Sequence, residues 1–235
     1  MLKIDGVETS YGTSQVLFGM SLEVGASEVV TLMGRNGMGK TTTIRSIMGL
    51  VPPQAGSISF EDRSIFGLPA YQVAQAGIGL VPEGRQIFPN LTVRENLLAT
   101  ARPPASGSDA RAWTLERVLE RFPALVPRIE GMGNELSGGE QQMLAIGRAL
   151  MTNPKLLILD EATEGLAPRI RQEIWECLAD LKEQGQSILV IDKNLSALMK
   201  IADRHFIIEK GVAVWSGSTD ELQEAPDIQH RYLGV

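Results

Sequence analysis

The motif GxxxxGK[ST] constrains the fold more than any other feature of the chain. It follows the apolar run 28–33 and precedes a helical pattern that begins near Thr42. A glycine-rich loop between a strand and a helix directs backbone N–H groups at phosphate oxygens, and the helix N-terminus adds a favourable dipole. We therefore predict a phosphate-binding loop in an α/β protein, against the alternative of a glycine-rich turn that merely contains Lys-Thr. The predicted binding residues are Gly34, Arg35, Asn36, Gly37, Met38, Gly39, Lys40, Thr41 and Thr42.

The same motif assigns chemistry to individual side chains. Lys40 is expected to reach the β- and γ-phosphates of a nucleotide, and the Thr41 hydroxyl to bind Mg²⁺. A second source of carboxylates is the apolar strand 156–159, which ends in Asp160 and Glu161. We expect Asp160 to hold Mg²⁺ through water and Glu161 to polarise an attacking water. The alternative is that either acid caps the following helix.

Short apolar runs alternate with helical patterns along the chain, which favours an α/β fold with a largely parallel sheet. The strongest predicted strands are 28–33, 78–81, 156–159, 188–191 and 206–208. Between residues 92 and 154 the pattern is helical, which predicts an inserted helical subdomain. Within it, the segment 102–108 is rich in Pro, Gly and Ser and predicts a flexible surface loop.

Composition and charge disfavour several classes of protein. The chain has 235 residues and a net charge of −6, which provides no basic field for nucleic acid, so we expect no nucleic-acid partner. No apolar run approaches the ~20 residues that span a bilayer, and no secretory signal is apparent at the amino terminus, which predicts a cytoplasmic protein. The single cysteine, Cys177, lies on an apolar helical stripe and is expected in the core.

A second motif, LSGGEQQ at residues 136–142, opens a helical pattern. Ser137 and Glu140 have the spacing of a capping box, which alone indicates only a helix start. Together with the phosphate loop, this motif resembles the signature of the ABC-transporter ATPases, and the likeness extends over almost the whole chain. The signature residues are Ser137, Gly138, Gly139 and Glu140.

The resemblance implies an architecture and a reaction. The fold would be a P-loop NTPase (RecA-like) α/β core with a mainly parallel sheet, an antiparallel β subdomain and an inserted α-helical subdomain. Residues 1–235 would form a single ABC ATPase domain, with the helical subdomain at approximately 92–153. The protein would bind ATP and Mg²⁺ and hydrolyse ATP.

Further site residues are implied by the family order. Tyr11 resembles the aromatic residue that stacks on adenine, although it could also be a strand aromatic in the core. Glu83 lies where most relatives carry a glutamine between the metal site and the permease. Lys193 lies, within one residue, where most relatives place a histidine against the γ-phosphate; the alternative is a solvated lysine before a helix. Ala167, in the segment 164–168, replaces a common aspartate.

In the family, each ATP lies between the phosphate loop of one subunit and the signature helix of another. The resemblance therefore implies a homodimer, or a heterodimer with a related ATPase subunit, bound to two transmembrane permease subunits. A periplasmic substrate-binding protein would act indirectly. The location would be the cytoplasmic side of the inner membrane, peripheral through the permeases. Phe88 and Leu91 are candidate permease contacts, or they simply pack into the helical subdomain.

The motifs GRNGMGKTT, VPEGRQIFPNLTVRENL and DEATEGLAP look like the branched-chain amino acid importer branch of the family. Relatives in this branch also handle urea, amides or aromatic acids. Rival interpretations are an ABC ATPase that acts on nucleic acid or ribosomes, and a regulatory module with little turnover. His205 and His230 are expected to be structural or solvated rather than catalytic.

Overall fold

The structure is a computed structural model that describes residues 1–104 and 112–234. Its strands are β1 (Leu2–Tyr11), β2 (Ser14–Val24), β3 (Val29–Met33), β4 (Ala55–Phe60), β5 (Arg63–Ser64), β6 (Ile78–Val81), β7 (Leu156–Asp160), β8 (Ser187–Ile191), β9 (Arg204–Glu209) and β10 (Val212–Ser218). Its α-helices are α1 (Lys40–Ile47), α2 (Ala70–Ala76), α3 (Val93–Leu98), α4 (Leu115–Arg121), α5 (Gly138–Leu150), α6 (Pro168–Glu183), α7 (Leu195–Ile201), α8 (Thr219–Gln223) and α9 (Pro226–Ile228). Other helical turns are Pro123–Arg128, Gly133–Glu135 and Gln229–Leu233.

The central sheet has the strand order β10-β9-β3-β8-β7-β6. All neighbours are parallel except β9 and β10, so the predicted largely parallel sheet is confirmed. Every residue of β3, β7 and β8 is buried, as expected for strands covered on both faces. The five predicted strands are all present, with ends shifted by at most two residues. Because β3, β7 and β8 are adjacent and parallel, their carboxyl ends meet at one edge of the sheet.

A second sheet is antiparallel and has the order β2-β1-β4-β5. It contributes alternating apolar side chains to a core that also contains one face of the central sheet. Leu17 on β2 lies close to Gly39, which places this sheet beside the start of α1. The α/β architecture expected from the resemblance, with a parallel core and an antiparallel sheet, is therefore present.

The described residues between 92 and 153 form α3, α4, α5 and two 3₁₀ turns. Their apolar faces pack together through residues such as Leu97, Val118, Phe122 and Met143. Apart from an isolated β-bridge between Thr92 and Met132, the described residues of this region form no strand. Of the predicted surface loop, residues 102–104 have no helix or strand, and residues 105–108 lie outside the described residues.

Two further sequence predictions concern the core and the membrane. Cys177 on α6 is buried, as predicted, and burial raises the pKa of its thiol to about 11. Within residues 1–104 and 112–234, no helix is both long enough and apolar enough to cross a bilayer.

His205 on β9 has a structural role, as predicted. Its ring is buried between two hydroxyls, with Nδ1 at 2.7 Å from Thr31 Oγ1 and Nε2 at 2.9 Å from Thr219 Oγ1. The Thr219 hydroxyl donates to the Ala202 carbonyl, so it accepts from Nε2–H, and Nδ1 accepts from Thr31. The neutral ring is thus fully hydrogen-bonded, and burial lowers its pKa to about 4. His230, in contrast, is exposed near the carboxyl terminus.

Lowering the pH from 8 to 5 is expected to reduce the free energy of unfolding by about 2 kcal/mol through His205. The folded-state pKa is about 4 and the unfolded value is near 6.5, so the unfolded chain binds more protons between these values. The contribution is complete above pH 6.5 and is lost as the pH falls towards 4. Urea titrations of wild type, His205→Gln and the control His230→Gln measure it. Equal pH dependences for wild type and His205→Gln would contradict this account.

Candidate functional site

The phosphate loop lies at the carboxyl end of β3 and runs directly into α1. Gly34 has φ +147°, and a Cβ there would lie 2.4 Å from the carbonyl oxygen of Ile208 on β9. Only glycine meets both conditions, because residues with a side chain rarely adopt this backbone conformation and the neighbouring strand leaves no room for a Cβ atom. Gly39 caps α1 with φ +110°, which turns the chain into the helix. The sequence therefore folds into a loop whose N–H groups surround a space suited to an anion.

Lys40 is buried at the first position of α1 and folds back over the loop. Its Nζ donates to the carbonyl oxygens of Gly34 at 2.8 Å and Arg35 at 3.1 Å. Burial lowers the pKa of this amine, and the nearby carboxylate of Glu161 opposes that shift. The ammonium is thus held at the mouth of the loop, where it can bind a phosphate oxygen.

The other loop residues occupy distinct places. Arg35 donates to the carbonyl of Arg231 at 3.2 Å, so its guanidinium faces the carboxyl-terminal segment. Met38 is partly buried against the core of the antiparallel sheet. Asn36, Gly37 and Thr42 line the cleft described below. Lys40 and Thr42 are buried, whereas Asn36 and Gly37 are exposed.

Thr41 and Asp160 bring two oxygen donors together at the carboxyl ends of β3 and β7. Thr41 Oγ1 donates to Asp160 Oδ1 at 3.4 Å. Burial raises the pKa of the Asp160 carboxyl, and the hydrogen bond from Thr41 acts in the opposite direction. A hydroxyl and a carboxylate are ligands that Mg²⁺ prefers, so this pair fits the ion. Asp160 ends a strand and the next helix begins after Ala167, so the helix-capping alternative for Asp160 and Glu161 is wrong.

Glu161 is the first residue after β7 and lies in a tight turn with φ +49°. Its N–H donates to the carbonyl oxygen of Ile191, at the end of β8, over a distance of 2.9 Å. This bond fixes the turn to the neighbouring strand. The Glu161 carboxylate contacts Lys193 Nζ at 3.2 Å, and Glu164 contacts the same ammonium at 2.5 Å. Burial is the main cause that raises the pKa of Glu161. Lys193 is exposed before α7, as its alternative interpretation expects, and its ammonium also joins these two carboxylates.

The two residues that flank Lys193 have structural roles. Asp192 accepts from the Thr163 hydroxyl at 2.6 Å and from the N–H of Asn194 at 2.9 Å, so it ties the turn after β7 to the loop after β8. Asn194 caps α7 by accepting from the N–H of Ala197. The side chain of Lys193, between them, contacts Glu161 and Glu164.

An open cleft of about 500 Å³ joins half of the predicted site residues. It is lined by Val16, Asn36, Gly37, Gly39, Lys40, Thr41, Thr42, Glu83, Glu161, Glu164 and Lys193. Two lysines and three glutamates are among these lining residues. The predicted site residues that do not line this cleft are Tyr11, Gly34, Arg35, Met38, Asp160 and the signature residues 137–140.

Glu83 reaches the cleft from the loop after β6. One carboxylate oxygen each from Glu83, Glu161 and Glu164 lie within 4.8 Å of one another. The loop then takes an unusual path, because Arg85 and Gln86 both have positive φ. Arg148 on α5 holds this path by donating to the carbonyl of Gln86 at 2.6 Å.

The signature helix α5 begins with the predicted capping box. Ser137 Oγ accepts from the N–H of Glu140 at 3.3 Å, and Glu140 accepts from the N–H of Ser137 at 2.8 Å. Ser137 is exposed, so the start of α5 is open to solvent. A Cβ on Gly138 would lie 2.9 Å from the guanidinium of Arg85, and one on Gly139 would lie 3.0 Å from Ile170. Glycines here allow two neighbouring side chains to approach the helix start closely.

Tyr11 lies at the end of β1, where its side chain is 41% exposed. The alternative prediction of a core aromatic is therefore wrong. An exposed ring beside the strand that carries Val16 is available for stacking, and its role stays a prediction.

Sequence reasoning missed the partner of Lys193. In the sequence, Glu164 is only the first residue of the segment 164–168, although its carboxylate makes the shortest contact that Lys193 has in the cleft. No local pattern in the sequence indicated this pairing, which depends on the tight turn that brings Glu164 to the same side as Glu161. Parallel neighbours β7 and β8 then bring that turn against Lys193.

Comparison with known proteins agrees with this geometry. A family model described as "ABC transporter" matches residues 17–164, more than half of the chain. The chain belongs to the ABC transporter ATP-binding family. This ABC ATPase is therefore an ATP hydrolase of the P-loop NTPase fold that binds nucleotide.

Two curated relatives of this ABC ATPase span its full length. The chain is 42% identical over 234 residues to the high-affinity branched-chain amino acid transport ATP-binding protein BraG of Pseudomonas aeruginosa, covering 100% of both chains. It is 33% identical to the lipopolysaccharide export system ATP-binding protein LptB of Haemophilus influenzae, covering 100% of this chain and 97% of that one.

Solved structures share the fold of this ABC ATPase. A nucleotide-free ATP-binding cassette from an ABC transporter superimposes with a TM-score of 0.83 at 27% identity, covering 97% of this chain and 95% of the other. The dimeric ATP-binding cassette MJ0796, in a post-hydrolysis state bound to ADP and Pi, gives a TM-score of 0.81 at 26% identity, covering 93% and 99%. Cassettes of this family thus form dimers and bind nucleotide.

Proposed function

We propose that this ABC ATPase energises the import of branched-chain amino acids through partner permeases. The full-length similarity to BraG supports this proposal, because the name of that relative specifies branched-chain amino acid transport. Similarity to LptB is lower, at 33% identity, and does not favour lipid export over amino acid uptake. Urea, amide or aromatic-acid uptake is the alternative substrate class, because the residues that contact the cargo belong to other subunits.

The geometry of the cleft supports one role for each site residue. The loop 34–39 and Lys40 bind the phosphates, because N–H groups and a buried ammonium converge there. Thr41 and Asp160 hold Mg²⁺, which when bound would neutralise phosphate charge. Glu161 accepts a proton from the attacking water, since its carboxylate is largely buried beside the loop.

The remaining site residues act at the edges of the bound nucleotide. The exposed ring of Tyr11 is available to stack on adenine. Glu83 and Lys193 line the cleft, which supports a role for Glu83 beside the metal and for Lys193 beside the γ-phosphate. These roles rest on position in the cleft or, for Tyr11, on exposure.

The signature residues are proposed to bind a second nucleotide held by another subunit. Ser137 is exposed and residues 138–140 are partly exposed at the start of α5, and none of the four lines this chain's own cleft. The N–H groups at such a helix start are suited to a γ-phosphate. A homodimer, or a heterodimer with a related ATPase subunit, would therefore complete two composite sites.

Permease subunits are proposed to dock near the loop that follows Glu83. Phe88 is exposed on this loop, and the Arg148 guanidinium stacks on its ring at 4.6 Å from the centroid. The loop is thereby coupled to α5, the signature helix. We propose that residues 92–153 form the helical subdomain of one ATPase domain spanning 1–235. The protein would lie on the cytoplasmic side of the inner membrane, with a periplasmic binding protein acting indirectly.

Lys193→Ala is expected to lower the turnover of ATP about tenfold while changing its KM less than about threefold. The ammonium faces the reacting phosphate and Glu161, so its loss affects the chemical step more than ground-state binding. Steady-state ATPase assays with Lys200→Ala as an exposed control check this. Wild-type turnover in Lys193→Ala would return the residue to a surface role.

The transport proposal is tested with the complex as it is assembled in the cell. The tagged chain is purified from its native membranes, its co-purifying subunits are identified, and the complex is placed in proteoliposomes. We expect two multi-span membrane subunits, and ATP hydrolysis stimulated by leucine with its binding protein but not by urea. Stimulation by urea or aromatic acids alone would support the alternative substrate class. A complex without membrane subunits would contradict a transport function.

A further inference from the structure

The turn between β9 and β10 contacts the middle of the phosphate loop. β9 ends at Glu209 and β10 begins at Val212, so Lys210 and Gly211 form a two-residue turn. Both turn residues have positive φ, +48° and +78°, as in the tight hairpin turns that match the twist of the strands. Strand pairing uses the residues on either side of such a turn, so the N–H groups of Lys210 and Gly211 need other partners.

Met38 of the phosphate loop supplies both partners. Its carbonyl oxygen accepts from the N–H of Gly211 at 3.0 Å, and its Sδ accepts from the N–H of Lys210 at 3.3 Å. A thioether sulfur is a weak acceptor, whereas other apolar side chains have no acceptor at all. The bond to Lys210 therefore depends on methionine at this position, and a leucine of similar size would lose it.

The turn is in turn bonded to β2, on the side away from the phosphate loop. The carbonyl oxygen of Gly211 accepts from the N–H of Phe18 at 3.0 Å. A Cβ on Gly211 would lie 2.0 Å from the carbonyl oxygen of Val16, so only glycine lets the turn approach β2 this closely. Because the turn lies between β2 and the phosphate loop and is bonded to both, Met38 contacts a well-fixed support.

The phosphate loop needs such a support at its centre. Met38 lies between Gly37, with φ +78°, and Gly39, with φ +110°. Glycine permits many backbone conformations, so the chain on either side of Met38 does not by itself fix the direction of the N–H groups of the loop. The bonds from Lys40 Nζ hold the first residues of the loop, and the bonds to the turn hold its middle.

We infer that Met38 is a positioning residue for ATP, whose sulfur holds the phosphate loop against the β9–β10 turn in the conformation that receives the phosphates. The inference rests on the proposed role of the loop 34–39 in binding them. If only a fraction of the molecules has the loop in this conformation, the apparent affinity for ATP falls by that fraction. Bound ATP then holds the loop itself, so turnover at saturating ATP is retained.

Met38→Leu in the full chain tests this inference. The dissociation constant for ATP is expected to rise at least about threefold, because leucine offers no acceptor to the N–H of Lys210. Turnover at saturating ATP is expected to stay within about twofold of wild type, so that the change appears in KM and not in kcat. Isothermal titration with ATP and Mg²⁺ and steady-state hydrolysis measure these quantities.

Met38→Gln separates the sulfur's role as an acceptor from its role in packing. Glutamine supplies an amide oxygen that can accept from the N–H of Lys210, but it is less suited than leucine to the apolar core that Met38 contacts. We expect Met38→Gln to bind ATP at least about twofold more tightly than Met38→Leu. A role in packing alone would reverse the order of the two variants.

Met199 on α7 provides the matched control. Its side chain is partly exposed, as that of Met38 is, and it does not line the cleft. Met199→Leu and Met199→Gln are expected to bind and hydrolyse ATP as wild type does. Thermal unfolding of all four variants checks that each is folded.

Two outcomes would overturn the inference: an unchanged dissociation constant in Met38→Leu, or weaker binding by Met38→Gln than by Met38→Leu. Lys40→Ala in the same titrations separates this from a failure of the proposed site. If Lys40→Ala binds ATP as tightly as wild type, the phosphate loop is not the binding site. If it binds weakly while Met38→Leu binds as wild type does, only the role of Met38 is wrong.

Discussion

Glu161→Gln is expected to lower the turnover of ATP by about 10² to 10⁴ while leaving ATP affinity within about threefold of wild type. The glutamine amide keeps the size of the side chain and cannot accept the proton of the attacking water. The phosphate loop, Lys40 and the Thr41–Asp160 pair remain intact, so the ground-state contacts are retained. Steady-state hydrolysis and equilibrium nucleotide binding measure the two quantities separately.

The control for this variant is Glu120→Gln, which removes a carboxylate from an exposed position on α4. It is expected to hydrolyse ATP at the wild-type rate. Glu161→Gln should also accumulate as an ATP-bound dimer, or pair with its related subunit in the purified complex. Turnover within tenfold of wild type would remove Glu161 from the chemical step.

Lys40→Ala is expected to weaken ATP binding about 100-fold, because hydrogen bonds to a charged group contribute about 1.5 to 3 kcal/mol each. The buried ammonium lies at the mouth of the loop, bonded to the carbonyls of Gly34 and Arg35. Its removal deletes the cation that would bind the phosphates. The carbonyl oxygens of Gly34 and Arg35 then lose their donor and face the phosphates. Hydrolysis at low ATP concentration should fall in parallel.

Isothermal titration with ATP and Mg²⁺ gives the dissociation constants of Lys40→Ala, wild type and the control Lys200→Ala. Lys200 is exposed on α7, so its variant is expected to bind as wild type does. An unchanged affinity in Lys40→Ala would show that the ammonium does not contact the nucleotide.

Local sequence patterns predicted the strands and the helix starts because each depends on a few neighbouring residues. The apolar runs before Gly34 and Asp160 form fully buried strands, and the spacing of Ser137 and Glu140 produces the capping box. The location of the candidate site could also be predicted, because neighbouring parallel strands bring their carboxyl ends together at one edge of the sheet.

Contacts between distant segments were harder to predict. The pairing of Lys193 with Glu164 depends on the strand order β8-β7 and on the turn after Glu161. The spacing of apolar residues along the chain specifies neither of them. The exposure of Tyr11 likewise depends on how the β1–β2 hairpin packs, and the sequence alone left a core position open. The choice of substrate is proposed to depend on residues of other subunits.

Equilibrium binding of radiolabelled ATP with Mg²⁺ to wild type, Lys40→Ala and Glu161→Gln tests the central claim most directly. The account predicts that Glu161→Gln binds ATP as tightly as wild type and retains it uncleaved, whereas Lys40→Ala binds about 100-fold more weakly. Equal binding by all three proteins, or rapid release of phosphate by Glu161→Gln, would contradict the assignment of this cleft as the ATP site.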